Sequence, residues 1–568
     1  MAGRAATPRA GARGASRPWY DRASIRRSPL NGKTLATRAL MTLPTNAAFL
    51  RLSRRAETSE REALIDTFVD VGPLFSLLSS RDHQILFGRR GTGKTHALSY
   101  LADSRERDGD VVVLLDLRNI GSNAGLYGDA TRPLQERATG LLVDVLSEIH
   151  EALYQNFLTH DGGVDLAEAG PALDALAEAI TQVRVHGEVE KEATSTSSDK
   201  AVEKSGLNLG VKPAGIVAGV SSSSHREEIS AKALSEKRRG KESLYVNFGS
   251  TGAAFRRVAA LLRGRHLWVL LDEWSSVPVV LQPYLADLLR RSVFPITGIT
   301  VKLAAIEQRS EFQIRSDQGD YLGLEVGADA SADISLDDFM VFENDEDRAK
   351  SFFRNLIARH ALAVASGTEL EAGIPSDAAE LVRVAFTEKR AFEEFVRAAE
   401  GVPRDAINIL ALAAQRALAE PISVQHVRVA AKNWFQRDKD KSISSNAKAR
   451  DLLHWINDTV IGQRRARAFL LRSDAGDELI DALYDARVLH VLKRSVSTHD
   501  QPGVRYAVYK IDYGCYVDLI ATARAPQGLL PFDAEDGKAG FVDVPPDDYR
   551  SIRRAILSLE TFYRRTGG

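Results

Sequence analysis

Apolar positions in this chain gather into short unbroken runs separated by amphipathic stretches. Residues 84–87 (Gln-Ile-Leu-Phe), 110–117 (Asp-Val-Val-Val-Leu-Leu-Asp-Leu), 267–271 (Leu-Trp-Val-Leu-Leu) and 299–306 are runs of this kind. Near-continuous apolarity predicts strands covered on both faces, as in a parallel sheet flanked by helices. Residues 134–158, 251–263 and 281–293 instead space their apolar side chains at helical intervals. Shorter helical segments are predicted over 59–78, where Ser59 and Glu62 fit a capping box. Beyond residue 345 the pattern becomes helix upon helix: 348–363, 376–385, 389–398, 403–418 and one from Ser423. After a charged stretch at 436–448, two helical stretches lead to 477–486. Two strand-like runs, 488–496 and 504–511, then flank a polar loop. Helices followed by a hairpin predict a winged helix-turn-helix.

These patterns divide the chain into a basic flexible tail (1–58), an α/β core (59–343), a helical lid (344–435), a linker (436–448), a winged-helix-like domain (449–521), and a C-terminal tail and helix (522–568). Within the core, residues of about 187–242 break the alternation of strand and helix. Serine runs, a candidate hairpin over 207–220, and the basic cluster Lys237, Arg238, Arg239 and Lys241 predict a projecting insertion.

At 568 residues the chain is too long for one ordinary core, and 44% hydrophobic with 27% charged residues is a soluble globular composition. A net charge of −1 gives no overall attraction to nucleic acid or membrane, so any such contact must come from a local basic face. The single Cys515 excludes an intrachain disulfide framework and a cysteine-rich zinc site, and a reducing cytoplasm is the expected location. No run reaches the roughly 18 apolar residues that a membrane helix needs.

The candidate chemistry begins directly after the 84–87 run. Gly88, Arg89, Arg90, Gly91, Thr92, Gly93, Lys94, Thr95 and His96 carry the P-loop spacing, glycine, four residues, then Gly-Lys-Thr. Glycines let the backbone curl so that its N–H groups face phosphate oxygens, and the following helix adds its positive end. Lys94 would reach the β- and γ-phosphates of the nucleotide, and the Thr95 hydroxyl would hold Mg²⁺.

The 267–271 strand runs into Asp272 and Glu273, the Walker B arrangement. In a parallel sheet its end lies at the same carboxyl edge as the P-loop. Asp272 would hold Mg²⁺ and Glu273 would polarise the attacking water. The 299–306 strand ends in Glu307, Gln308 and Arg309, which makes Gln308 or Glu307 a candidate sensor of the γ-phosphate. In the helical region, Gly401-Val402-Pro403-Arg404 sets a proline at a helix start and Arg404 in its first turn. The would-be recognition helix of the last domain carries Asp477, Glu478, Asp481 and Asp485, which would repel phosphates in a DNA groove. Basic residues stand elsewhere, at Arg464, Arg465, Arg467, Lys493, Arg494, Arg505 and Lys510.

The order P-loop, Asp-Glu strand end, polar strand end, Gly-x-Pro-Arg lid and winged helix resembles the AAA+ ATPases, most of all the origin-recognition-complex type of bacterial genomes. The motifs that carry this are 88–95, 267–273 and 401–404. The resemblance implies ATP with Mg²⁺, Arg404 as sensor 2, and Arg309 or Arg315 as an arginine acting in trans on a neighbouring subunit. It also implies a homo-oligomer or partner protein, and double-stranded DNA met through the basic wing or the insertion. The STAND signalling ATPases, which share the core and act through protein partners, are the neighbouring resemblance.

Overall fold

The computed structural model describes residues 42–53, 61–120, 127, 129–159, 164–181, 183–186, 189–190, 237–238, 241–315, 319, 321–337, 345–464, 466–474, 476–498, 501–520 and 556–566. Residues 1–41 and 54–58 of the basic tail, the capping box at Ser59, Arg465 and the hairpin expected at 207–220 lie outside them. The rest of that tail is not the flexible segment expected: Pro44–Arg51 is a helix whose Ala48 and Phe49 are buried in the core shared with the helical region.

The apolar runs are the strands of one parallel sheet: β1 (Gln84–Phe87), β2 (Val111–Asp116), β3 (Leu267–Asp272), β4 (Ile299–Ala305) and β5 (Ser331–Ser335), in the order β5-β1-β4-β3-β2. Every neighbouring pair is parallel. The fold is therefore α/β, as the patterning predicts. Because successive side chains alternate between faces, the sheet has two cores. Ile85, Val113, Val269, Leu271 and Leu303 face a layer containing Leu146, Phe255 and Leu288. Leu86, Val112, Trp268 and Leu270 face the other way, into a cluster continuous with Phe353, Leu381, Phe395 and Leu410. The helical region thus shares a core with one face of the sheet.

The helices of that region are Glu346–Ala365, Ala378–Ala385, Lys389–Ala399, Pro403–Ala417 and Val424–Trp434, several opened by an Asp or Ser whose side chain accepts from the first-turn backbone. In the core, Phe248–Leu261 starts earlier than the spacing suggests because Asn247 caps it. Two antiparallel ribbons, Val183–His186 with Lys241–Leu244 and Val189–Glu190 with Lys237–Arg238, form the base of the insertion.

The charged 436–448 stretch differs from the linker expected of it. Phe435–Lys439 continues the preceding helix as a π-helix and Asp440–Ser444 follows as α-helix. Two of its charges belong to ion pairs: Lys439 is almost wholly buried against Asp405 and Asp512, and Asp438 meets Arg487. The C-terminal unit has helix Ala447–Ile456, β6 (Ala468–Arg472), helix Glu478–Asp485, β7 (Leu489–Thr498) and β8 (Gln501–Ile511) in an antiparallel sheet of order β6-β8-β7. The run Phe469-Leu470-Leu471 is a buried strand where the pattern suggested helix; short apolar runs do not separate the two. The described part of the C-terminal helix, Leu559–Thr566, packs Phe562 against Trp455.

Candidate nucleotide-binding site

At the carboxyl edge of β1 the chain turns through Gly91 at φ +84° and Gly93 at φ +99°, and Gly93 caps the helix Lys94–Arg107. These left-handed positions favour glycine. A Cβ at Gly91 would stand 2.7 Å from Arg404 Cβ, so glycine is also what lets the loop meet the helix Pro403–Ala417. The Arg404 amide donates to the Gly91 carbonyl at 3.2 Å. Lys94 Nζ donates to the carbonyls of Gly88 at 2.7 Å and Arg89 at 3.0 Å. Burial pushes the Lys94 ammonium down, against the pull of Glu273, Asp272 and Asp337.

β3 delivers the two acids. Asp272 is buried and accepts from the Glu273 amide at 2.8 Å. Burial raises its carboxyl, while a hydrogen bond from Thr95 and the nearby Lys94 work the other way. A buried acid joined to a hydroxyl is a donor set suited to a hard cation, so these residues fit Mg²⁺. Glu273 sits at φ 56°, ψ 40°, a left-handed conformation unusual for a side chain larger than glycine. Its Oε2 accepts from Ser276 Oγ at 3.4 Å, and its Oε1 lies 4.0 Å from Arg118 Nη1.

Lys94, Thr95, Glu273 and Arg404 line one cleft of about 530 Å³, with Asp272 behind its wall. Arg90, Gly91, Gly93, Lys94, Thr95, Arg118, Glu273 and Arg404 line it together with the apolar Leu64, Leu356, Val364 and Ile407. His96 also lines it, its Nε2 bonded to the Leu64 carbonyl and its ring edge-on to Phe68. The cationic side chains Arg90, Lys94, Arg118 and Arg404 together with the apolar ones suit a ligand with both an anionic and an apolar part.

Gly88, Arg89, Thr92, Asp272, Gln308, Arg309 and Arg315, all singled out in the sequence, are not among the residues that line the cleft. The Arg89 side chain turns into the interior, onto Asp337, and Thr92 Oγ1 folds back to the Arg89 carbonyl at 2.8 Å. Gln308 does not line the cleft. It sits in the turn Glu307–Arg309, and its Oε1 is buried with no hydrogen-bond partner among the described residues. Arg309 pairs with Asp485 of the C-terminal unit, while the largely exposed Arg315 stands 4.0 Å from Glu325. Arg118 was missed; its place just past the end of β2, beside the Walker B strand, was the available signal.

The basic residues of the C-terminal unit are not one surface. Arg467 and Lys510 are buried in ion pairs with Glu400, and Arg494 pairs with Glu307. Arg464, Lys493 and Arg505 are exposed. The acidic helix has a structural reason for its charge: Asp477 caps it through Leu479 and Ile480, and Asp485 meets Arg309.

Residues 52–106, which include the P-loop, match the ORC-CDC6-like family model. The resemblance to ATPases of the origin-recognition-complex type is borne out by that match. An Orc1 protein of Aeropyrum pernix, solved in complex with DNA, is 13% identical, with 84% of this chain and 94% of that one covered and a TM-score of 0.28. No curated protein matches. Among the described residues, no helix is long and apolar enough to cross a membrane.

Proposed function

We propose that the chain is a Mg²⁺-dependent ATPase whose nucleotide state sets the arrangement of core, lid and C-terminal unit. The observation that carries this reading is the meeting of Lys94, Thr95, Glu273 and Arg404 in one cleft. In the proposed mechanism the P-loop amides and Lys94 hold the phosphates, and Arg404 approaches the γ-phosphate from the lid. Thr95 and Asp272 would hold Mg²⁺, which supplies positive charge against the phosphate oxygens. Glu273 orients and polarises the attacking water, and Arg118 fixes where that carboxylate points. The buried Gln308 Oε1 is a group available to the sensor role if its turn shifts on binding. Arg309 or Arg315 would serve a neighbouring subunit, a contribution that can reach roughly 10³-fold in phosphoryl transfer.

The proposed setting is DNA-associated, in replication, mobile-element or phage-defence systems, within a cytoplasmic homo-oligomer or partner complex. A second reading, a STAND-like switch acting on proteins without DNA, is favoured by one observation: the would-be recognition helix is held against the core through Asp485 and Arg309. Binding of a fluorescent ATP analogue, with Lys94→Ala as control, tests the nucleotide reading; equal affinity in the two proteins would refute it. Duplex binding across a salt series separates the settings. A steep decline with salt fits phosphate contacts, and no binding at low salt leaves the protein-partner switch.

A further inference from the structure

The phosphate end of the cleft is tied to the C-terminal unit by a buried network of charges. Arg89, within the P-loop, is 2% exposed. Its Nε donates to Asp337 Oδ1 at 2.6 Å, and its backbone amide donates to Asp337 Oδ2 at 3.0 Å. Its Nη1 meets His490 Nδ1, and its guanidinium lies 5.5 Å from the Tyr484 ring centre. His490 Nε2 reaches Asp512 Oδ2 at 3.1 Å. These contacts fix the tautomer: Nδ1 accepts from arginine and Nε2–H donates to the carboxylate. Burial and the Arg89 charge hold the ring neutral.

The turn that leads to Arg404 is anchored in the same way. Glu400 is buried at φ 51°, a strained position for glutamate. Its carboxylate is gripped by Arg467 and by Lys510 at 2.8 Å, and its carbonyl accepts from Arg89 Nη2 at 3.4 Å. Asp405, next to Arg404, is wholly buried against Lys439 at 2.8 Å and Arg487 at 3.3 Å. The side chains of Glu400, His490 and Asp512 gather within 4.8 Å as metal ligands do. Lysine and arginine already neutralise both carboxylates, so the cluster is an ion network.

Each cation here has an anion and each is sealed from water, so the groups cannot part singly without leaving an unpaired buried charge. Resting on the nucleotide reading above, we propose that Tyr484, Arg487, His490 and Lys510 are positioning residues for the phosphate end of the cleft. They hold the P-loop through Arg89 and the Arg404 turn through Glu400 and Asp405. Nucleotide occupancy and docking of the C-terminal unit are therefore one coupled equilibrium: each strengthens the other by the same factor.

The test uses the full chain with His490→Ala, His490→Gln, and the rim pair Asp485→Asn with Arg494→Ala. Asp485 and Arg494 hold the unit from outside the buried network and do not line the cleft. The readouts are affinity for a fluorescent ATP analogue, melting temperature, and hydrogen exchange at 84–96 and 400–408 without nucleotide. His490→Ala is expected to weaken binding roughly tenfold and to speed exchange in both segments. His490→Gln, which keeps an acceptor and a donor, restores most of both. The rim pair weakens binding several-fold, and ATP slows exchange across 484–512. The proposal is overturned if His490→Ala and the rim pair speed exchange at 484–512 yet leave 84–96, 400–408 and nucleotide affinity unchanged. Should the wild type bind no nucleotide, the nucleotide reading fails, while the exchange at 84–96 still decides the positioning.

Discussion

Arg118 Nη1 stands 4.0 Å from Glu273 Oε1, and the same arginine donates to Asp116 at 2.6 Å. The base candidate thus lies beside an arginine on the adjacent strand end. Glu273→Gln is expected to lower the hydrolysis rate by about 10²-fold or more with ATP binding retained, since the amide cannot take a proton. Arg118→Ala lowers kcat by a smaller factor and leaves KM nearly unchanged. Steady-state kinetics on both variants checks this, and a Glu273→Gln enzyme of normal rate would remove Glu273 from its role.

Gly91 and Gly93 both have positive φ but differ in what surrounds them. A Cβ at Gly91 meets Arg404 and Val402, whereas nothing lies within 4 Å of one at Gly93. Without nucleotide, Gly93→Ala is expected to cost only backbone strain of about 1 kcal/mol. Gly91→Ala costs more, because Arg404 and Val402 must also give way. Thermal melts of the two variants make the comparison.

Asp405 lies under Trp434, Lys439 and Arg487 without solvent contact. Burial works against its charge, yet Arg487 and Lys439 hold the carboxyl well below the usual range. Asp405→Asn leaves two buried cations short of a partner and is expected to destabilise the fold by about 3 kcal/mol. Denaturant unfolding measures it.

Stability should fall as the solution turns acidic. Burial pushes His360 down to about 4, opposed by its contact with the Leu356 carbonyl. His83, His96 and His266 are lowered too, each chiefly by burial. Unfolded histidines take a proton near pH 6.5. Between that value and the folded one the unfolded state binds more protons, so stability present above pH 6.5 is lost as pH falls. His360 alone accounts for about 1–2 kcal/mol between pH 7.5 and 5. A His360→Gln chain should show a flatter profile in unfolding experiments across that range.

The core of the site was legible because it is written locally. The P-loop spans neighbouring residues, and the acids follow their own strand with no gap. The apolar run of β1 and the strand ending in Asp272 fixed which edge of the sheet would hold them. The ion network was not legible. Arg89 reads as one more basic loop residue until Asp337, 248 positions on, and His490, 401 positions on, fold against it. Lys510 and Arg467 read as a basic wing for the same reason: exposure is a property of the tertiary arrangement, and both are buried on Glu400. The acidic helix, puzzling as a DNA reader, is explained only once Arg309 is seen beside Asp485.

The most direct measurement is ATP hydrolysis by the purified full chain with Mg²⁺ across a protein concentration series, beside Lys94→Ala. The account predicts turnover that rises faster than protein concentration, as a trans arginine requires, and that disappears in the variant. Hydrolysis of equal rate in Lys94→Ala would contradict it, because the activity would then arise outside the cleft that Lys94, Glu273 and Arg404 share.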